Sequence, residues 1–311
     1  MMSKQRKCLI VGAGMAGLTA ARVLRERDWD VTVLDKGRGV GGRMATRRLG
    51  DARLDHGAQF FTVREAAFRE VVHEWEQRGW VRVWFEESGH QRYCAEQGLN
   101  GLAKRLAEGL DVRSGTLVTR VEAAGHGWKT VTEAGEELCG DALILTAPAP
   151  QTLTLLDGCG AELHGKLRAI EYDPCFALLL TGEGASLVPA PGFVRPPSGI
   201  VSWIGDNVQK GITAGKGFAL TVHATAEFTR LHFDSESEAV AEMLEEAASP
   251  WFAGRVSDRQ LHRWRYSQPL KVCEKRCLVT GSLVVGGDAW GGPRIEGAFL
   301  SGLAAAAAIA G

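Results

Sequence analysis

The sequence predicts an α/β fold. A Rossmann-like domain is built from both ends of the chain, and an antiparallel-sheet domain is inserted between them. Three observations predict it. Residues 8–35 read as strand, glycine-rich turn, helix, strand and acid. Residues 283–302 bring a second buried strand, a Gly-Gly-Asp turn and a helix. From about 161 to 270, strand candidates follow one another with few helices.

The first unit is Cys8-Leu9-Ile10-Val11, then Gly12-x-Gly14-x-x-Gly17, then an amphipathic helix to Arg27 and a second strand, Val31 to Leu34, ending in Asp35. Each part has a mechanical role in holding a dinucleotide. Gly12 permits the tight turn, Gly14 lets the backbone approach a pyrophosphate, and Gly17 lets the helix pack on the strand. The helix N-terminus presents free N–H groups to phosphate. Asp35, 18 residues past Gly17, is placed to accept from a ribose hydroxyl. A glycine-rich turn before an ordinary helix leaves Asp35 unexplained.

Directly after it, Lys36 to Thr46 carries Gly41 and Gly42 between Arg38 and Arg43. Exposed backbone with cationic ends suits a second approach to the same anionic cofactor. In Leu54 to Thr62, a Gly57-Ala58 turn sets Gln59 beside aromatics, where it could line a flat ring. His56 reads as a satisfied structural histidine.

Further on, Phe68, Val71, Val72 and Trp75 recur at helical spacing, and Gly79 ends that helix. Residues 80–86 read as a strand and 99–106 as a helix. Residues 112–121 and 128–132 read as a strand pair. Ala142 to Thr146 is a continuous apolar run, typical of a strand buried on both faces. Ala147-Pro148-Ala149-Pro150 reads as a stiff exit between domains.

In the inserted region the strand candidates are 176–181, 199–205, 218–224 and 260–266. One helix interrupts them, opened by a capping box at Ser235-x-x-Glu238. Period two puts His262, Trp264 and Tyr266 on one face, sets Thr221 and His223 opposite Leu220 and Val222, and sets Trp203 opposite Ser202 and Ile204. A sheet carrying Trp203, His223, Trp264 and Tyr266 could roof a planar ligand. Each of these aromatics equally suits core filling.

At the far end, Asp288 could bind a sugar-like hydroxyl, and the helix near Gly297 offers a second N-terminus. The expected division is 1–75, 95–160 and 271–311 for the cofactor domain. Residues 76–94 and 161–270 are expected to form the substrate domain.

Composition sets bounds. With 311 residues, two domains are expected. A net charge of −1 argues against nucleic acid or an anionic membrane as main partner. Basic residues before the first apolar run resemble a signal peptide. That run contains the whole glycine turn, so it reads as strand and helix. No window has the roughly 18 apolar residues of a membrane span. The seven cysteines are scattered, with no C-x-x-C and no zinc spacing, so reduced thiols in the cytoplasm and no metal site are expected.

Taken together, Arg38-x-x-Gly41-Gly42-Arg43-x-x-Thr46, Asp55-x-Gly57-Ala58-Gln59 and Gly287-Asp288…Glu296-Gly297-Ala298…Ser301-Gly302 resemble the FAD-dependent amine oxidase superfamily, of p-hydroxybenzoate hydroxylase-like fold. Within it, Ala95 to Leu99, Leu145 to Pro150, Ser202 to Asn207, Val222 to Thr225 and Arg263 to Gln268 are similar to the renalase family. The resemblance spans essentially the whole chain. It implies non-covalent FAD, touched by Gly12, Gly14, Ala16, Gly17, Asp35, Lys36, Gly42, Arg43, Gln59, Phe60, Val121, Asp288, Gly297 and Ala298.

It also implies oxidation of misreduced 2- or 6-dihydro isomers of NAD(P), with hydride passing to flavin and electrons to O2, giving NAD(P)+ and hydrogen peroxide. A dihydropyridine becomes aromatic on losing hydride, so no strong general base is required. Gln59, Trp203, His223, Trp264 and Tyr266 are the candidate pocket lining, and no residue is assigned as acid or base. Two other readings are an oxidase or dehydrogenase of a small amine, and a flavin-binding protein without turnover. The sequence leaves oligomeric state open.

Overall fold

The computed structural model describes residues 5–156, 161–215 and 217–311; Cys159 lies outside them. Strand β1 (Lys7–Val11), helix α1 (Met15–Arg25) and strand β2 (Asp30–Asp35) form the first unit. Helices α2 (Ala66–Gln77) and α3 (Leu99–Ala107) follow, then strands β3 (Asp111–Ser114) and β4 (Ala142–Leu145). Next come β5 (Tyr172–Ser186), β6 (Phe193–Val194), β7 (Val201–Asp206), β8 (Phe218–Ala224), helix α4 (Ser237–Ala248) and β9 (Phe252–Pro269). Strands β10 (Leu278–Thr280) and β11 (Leu283–Val285) and helix α5 (Ile295–Ala310) end the chain.

The first and last segments share one sheet, in the order β10-β11-β4-β1-β2-β3, parallel except for the β10–β11 pair. Its central strands are apolar over Cys8–Val11 and Ala142–Leu145, as suits a sheet covered on both faces. Alternation sends Cys8 and Ile10 into one cluster with α1, α2, α3 and α5, and Leu9 and Val11 into another with Val121 and Trp290. From β1 the chain runs to β2 on one side and later to β4 on the other. The strand order therefore reverses beside β1, where open α/β sheets place their ligands.

Two close approaches need glycine. A side chain on Gly17 would run into the carbonyl of Gly12, whose φ is 110°. One on Gly302 would strike the carbonyl of Ala16, because α1 and α5 lie in direct contact.

The inserted sheet is antiparallel, in the order β6-β7-β8-β5-β9. Phe176, Leu178, Leu180, Leu220 and Val222 pack beneath α4 on one face. The other face carries Ala177, Thr221 and His223. The fold is therefore a Rossmann-like domain with an inserted antiparallel sheet. Among the described residues, no helix is long and apolar enough to cross a membrane.

Four local expectations need correction. The 112–121 strand is two strands, broken at Gly115 (φ 70°), and its first part is β3 at the edge of the parallel sheet. Ser235 does not cap α4, which begins at Ser237 without a side-chain cap, while Glu238 pairs with Arg259 of β9. Ala149 and Pro150 of the stiff exit already belong to a short helix, Ala149–Leu155. The Gly-Gly-Asp turn winds into one helical turn, Asp288–Gly291, before α5 starts at Ile295.

Candidate active site

Three segments distant in sequence meet at the end of β1. Asp35 accepts from Ala13 N (2.6 Å) through one oxygen and from Gly37 N (2.7 Å) through the other. Its carboxylate thus ties the turn after β1 to the loop after β2. The Gly41 amide donates to Ala13 O (2.8 Å), which brings Gly42 against Gly14. Arg43 then forms a bidentate pair with Asp288, both bonds 2.7 Å, and its Nη1 also donates to Ser267 O at 3.3 Å. That guanidinium joins the N-terminal loops, the end of β9 and the C-terminal turn. On the C-terminal side, Ser301 Oγ accepts from Gly287 N (2.8 Å) and donates to Arg276 O (2.6 Å), fixing the turn against α5.

These residues fit a dinucleotide cofactor. No heavy atom lies within 4 Å of where a Gly14 Cβ would sit, so a phosphate can reach the backbone at the start of α1. Ala16 and Gly17 lie buried in its first turn, Lys36 is exposed, and Val121 packs in the core beside Leu9. Gly297 backs closely on Gly291 and Gly292, and Ala298 is half-buried behind it. Gln59 Oε1 is buried without a hydrogen-bond partner, although its Nε2 donates to Asp55 O (2.6 Å) and Gly57 O (3.1 Å).

The inserted sheet turns its second face toward the 55–60 loop. Register sets Trp203 opposite His223, His223 opposite Ala177, and Ala177 opposite His262, so four strands contribute to one row. Trp264 lies two residues along, on the same face. His56 stacks on Trp264 (centroids 5.3 Å, 24°) and meets His262 edge-on at 4.8 Å. Its carbonyl accepts from Trp264 Nε1 at 2.9 Å and lies 3.3 Å from His223 Nε2. The expectation of a satisfied His56 is therefore half met: its backbone is engaged, yet Nδ1 is buried without a partner.

All three histidines are held neutral. Burial brings His56 down to about 3, helped by His262, Arg47 and His223. Burial also brings His223 and His262 down to about 4.

Gln59, Trp203, His223 and Trp264 converge on this loop, while Tyr266 lies beyond it. Trp203 stacks on Phe193 (4.7 Å, 4°), lies 5.6 Å from Phe60, and carries Arg195 at 4.8 Å. Tyr266 meets Tyr172 edge-on at 5.7 Å, near Arg43. Burial, then the nearby Asp288, pushes the Tyr172 phenol up to about 12.

One pair escaped the sequence reading. Lys210 Nζ lies 2.6 Å from Asp55 Oδ2, with side chains 1% and 0% exposed. Asp55 Oδ1 also accepts from Leu99 N (2.9 Å) and Thr46 Oγ1 (2.5 Å), and its backbone carbonyl accepts from Thr221 Oγ1 (2.8 Å). Asp55 could have been marked from its place in the 55–59 motif. Lys210, in a turn between Gln209 and Gly211, reads as solvated.

Beside Phe60 a cavity of about 330 Å³ opens between residues 58–64, Arg92 and residues 293–295.

A model of the NAD(P)-binding Rossmann-like domain matches residues 10–75, and one of flavin-containing amine oxidoreductases matches 76–186. Mouse renalase is 24% identical over 330 aligned positions, covering 96% of each chain. Among solved structures, a putative protoporphyrinogen oxidase from Exiguobacterium sp. 255-15 superposes with a TM-score of 0.75 at 15% identity, covering 100% of this chain and 99% of its own. Putrescine oxidase bound to putrescine superposes with 0.73 at 14% identity, covering 98% and 99%. Both structures share the fold.

Proposed function

This chain is a renalase-like member of the FAD-dependent amine oxidase superfamily, and on that premise we propose that it oxidises misreduced 2- or 6-dihydro isomers of NAD(P) to NAD(P)+. The similarity to renalase and to flavin-containing amine oxidoreductases supports an FAD-dependent oxidoreductase. Bound FAD supplies a two-electron acceptor that O2 reoxidises, with hydrogen peroxide as product.

The observation that carries the reading is the neutral, aromatic face over the 55–60 loop. Burial lowers His56, His223 and His262 far below pH 7, so each ring is neutral and only a weak base. A dihydropyridine needs no strong base, because departure of its hydride leaves an aromatic ring. The work left to the protein is to orient a flat donor and exclude water. Trp264, stacked on His56 and tied to its carbonyl, supplies a rigid wall for that task. Gln59 brings a buried acceptor, Oε1, able to take a carboxamide N–H. We assign His223, Trp203 and Tyr266 to the same lining.

On the cofactor side we assign Gly12, Gly14, Ala16, Gly17, Asp35, Lys36, Gly42, Arg43, Gln59, Phe60, Val121, Asp288, Gly297 and Ala298. The corresponding division is 1–75, 95–160 and 271–311 for FAD, and 76–94 with 161–270 for the donor. We place the enzyme in the cytoplasm, on scattered free cysteines such as the buried Cys8 and Cys94.

Anaerobic mixing tests the donor. The yellow holoenzyme is expected to be bleached rapidly by 6-dihydro-NAD(P) and left unchanged by putrescine or other small amines. Rapid bleaching by an amine, with none by the dihydro isomers, reverses the assignment. A yellow protein that no donor bleaches is the signature of a flavin binder without turnover.

A further inference from the structure

The 330 Å³ cavity beside Phe60 has an unusual charge for a site open to amines. Its apolar lining includes Phe60, Phe61 and Ile295, and three arginines complete it: Arg64, Arg92 and Arg294. They come from three separate segments of the chain, so the cluster exists only in the fold. Its volume lies near the lower bound of ligand pockets, roughly 300–1,000 Å³.

The charges do not cancel locally. Among the described residues, Arg64 and Arg294 form no ion pair, and both are exposed. Arg92 is held more tightly, with its side chain 11% exposed. It shares Glu87 with Arg195, at 3.3 and 2.6 Å, so one carboxylate serves two guanidiniums. The Arg92 Nε is buried without a hydrogen-bond partner. The other nearby carboxylate, Glu296, is turned to the backbone, where one oxygen accepts from Arg64 N (2.7 Å) and Glu65 N (2.8 Å). Three guanidiniums thus line the cavity with no carboxylate among the lining residues, and an aromatic ring lies beneath: Arg92 is 5.6 Å from the Phe60 centroid.

We propose that this cavity is an anion subsite that takes the phosphate-bearing end of the electron donor. The proposal rests on the reading of a nucleotide donor and adds the place where the donor's phosphate is held. An arginine cluster binds phosphate by charge-assisted, bidentate hydrogen bonds. The same field repels an ammonium group, so it selects against amines as well as for nucleotides.

The test uses FAD-loaded protein and calorimetric titration with nicotinamide mononucleotide and with nicotinamide riboside, which lacks the phosphate. The R64Q/R294Q variant alters two exposed side chains. It is expected to bind the mononucleotide about tenfold more weakly than wild type, with little change for the riboside. Raising salt should weaken the wild-type complex selectively. Equal mononucleotide affinity in the two proteins overturns the proposal. A variant that sheds its FAD, read from flavin absorbance per chain, gives the arginines to the cofactor and overturns it too. The donor assignment separates cleanly. Arginine-dependent mononucleotide binding without bleaching by any dihydronicotinamide nucleotide sinks the donor and keeps the subsite. Bleaching with arginine-independent binding does the reverse.

Discussion

His56, His223 and His262 show how burial sets chemistry at single residues. An imidazole removed from water keeps its neutral form, and here the neighbours His262, Arg47 and Lys210 push the same way. Each ring titrates near 3 or 4 in the fold and near 6.5 when unfolded. The unfolded chain therefore binds more protons below pH 6.5. The stability these rings contribute is full above that value and is lost as pH falls toward 4 and 3. Ring C–H NMR shifts of the three are expected to stay flat from pH 8 to 5, while the urea midpoint declines below about pH 6.5. A ring that titrates near 6.5 would remove the argument that the donor face is uncharged.

Between elements, the critical link is Lys210 on Asp55. It fastens the loop after β7 to the short strand Ala52–Asp55, and so fixes the 55–60 loop under the inserted sheet. Removing one partner of a buried pair strands the other charge, at a cost of about 3–5 kcal/mol. Lys210→Met is expected to lower unfolding free energy by about that much in urea melts. K210M/D55N should recover part of it. A loss under about 1 kcal/mol would show that the pair is solvated in solution.

Elements are also where legibility in sequence divides. The glycine turn and the faces of β7, β8 and β9 were readable because their periods are local: three glycines in six residues, and alternation within one strand. Lys210 was not, because its partner lies 155 residues away and a lysine in a turn between Gln209 and Gly211 reads as solvated. The capping box at Ser235 failed for a related reason: Arg259, from another strand, draws Glu238 away from the helix start.

For the molecule as a whole, the chain's two ends act as one grip. α1 and α5 touch through Gly302, β4 and β11 bring Thr146 beside Gly287, and Arg43 meets Asp288 across 245 residues. The similarity to mouse renalase, and the fold shared with the solved oxidase, both extend along nearly the full length and agree with this closure, since neither end alone completes the sheet. The motif at the start was legible, as was the answering turn near Gly287. The pairing of Arg43 with Asp288 was not, because each read separately as a cofactor contact.

The most direct measurement is an FAD titration of apo-protein, followed by flavin fluorescence, for wild type, Arg43→Gln, Asp288→Asn and the double variant. One FAD per chain is expected. Each single change should weaken binding by about tenfold or more, and the double should be no weaker than the worse single, because the two side chains form one unit. An Asp288→Asn protein that binds FAD as tightly as wild type would contradict the account, since the C-terminal turn would then take no part in holding the cofactor.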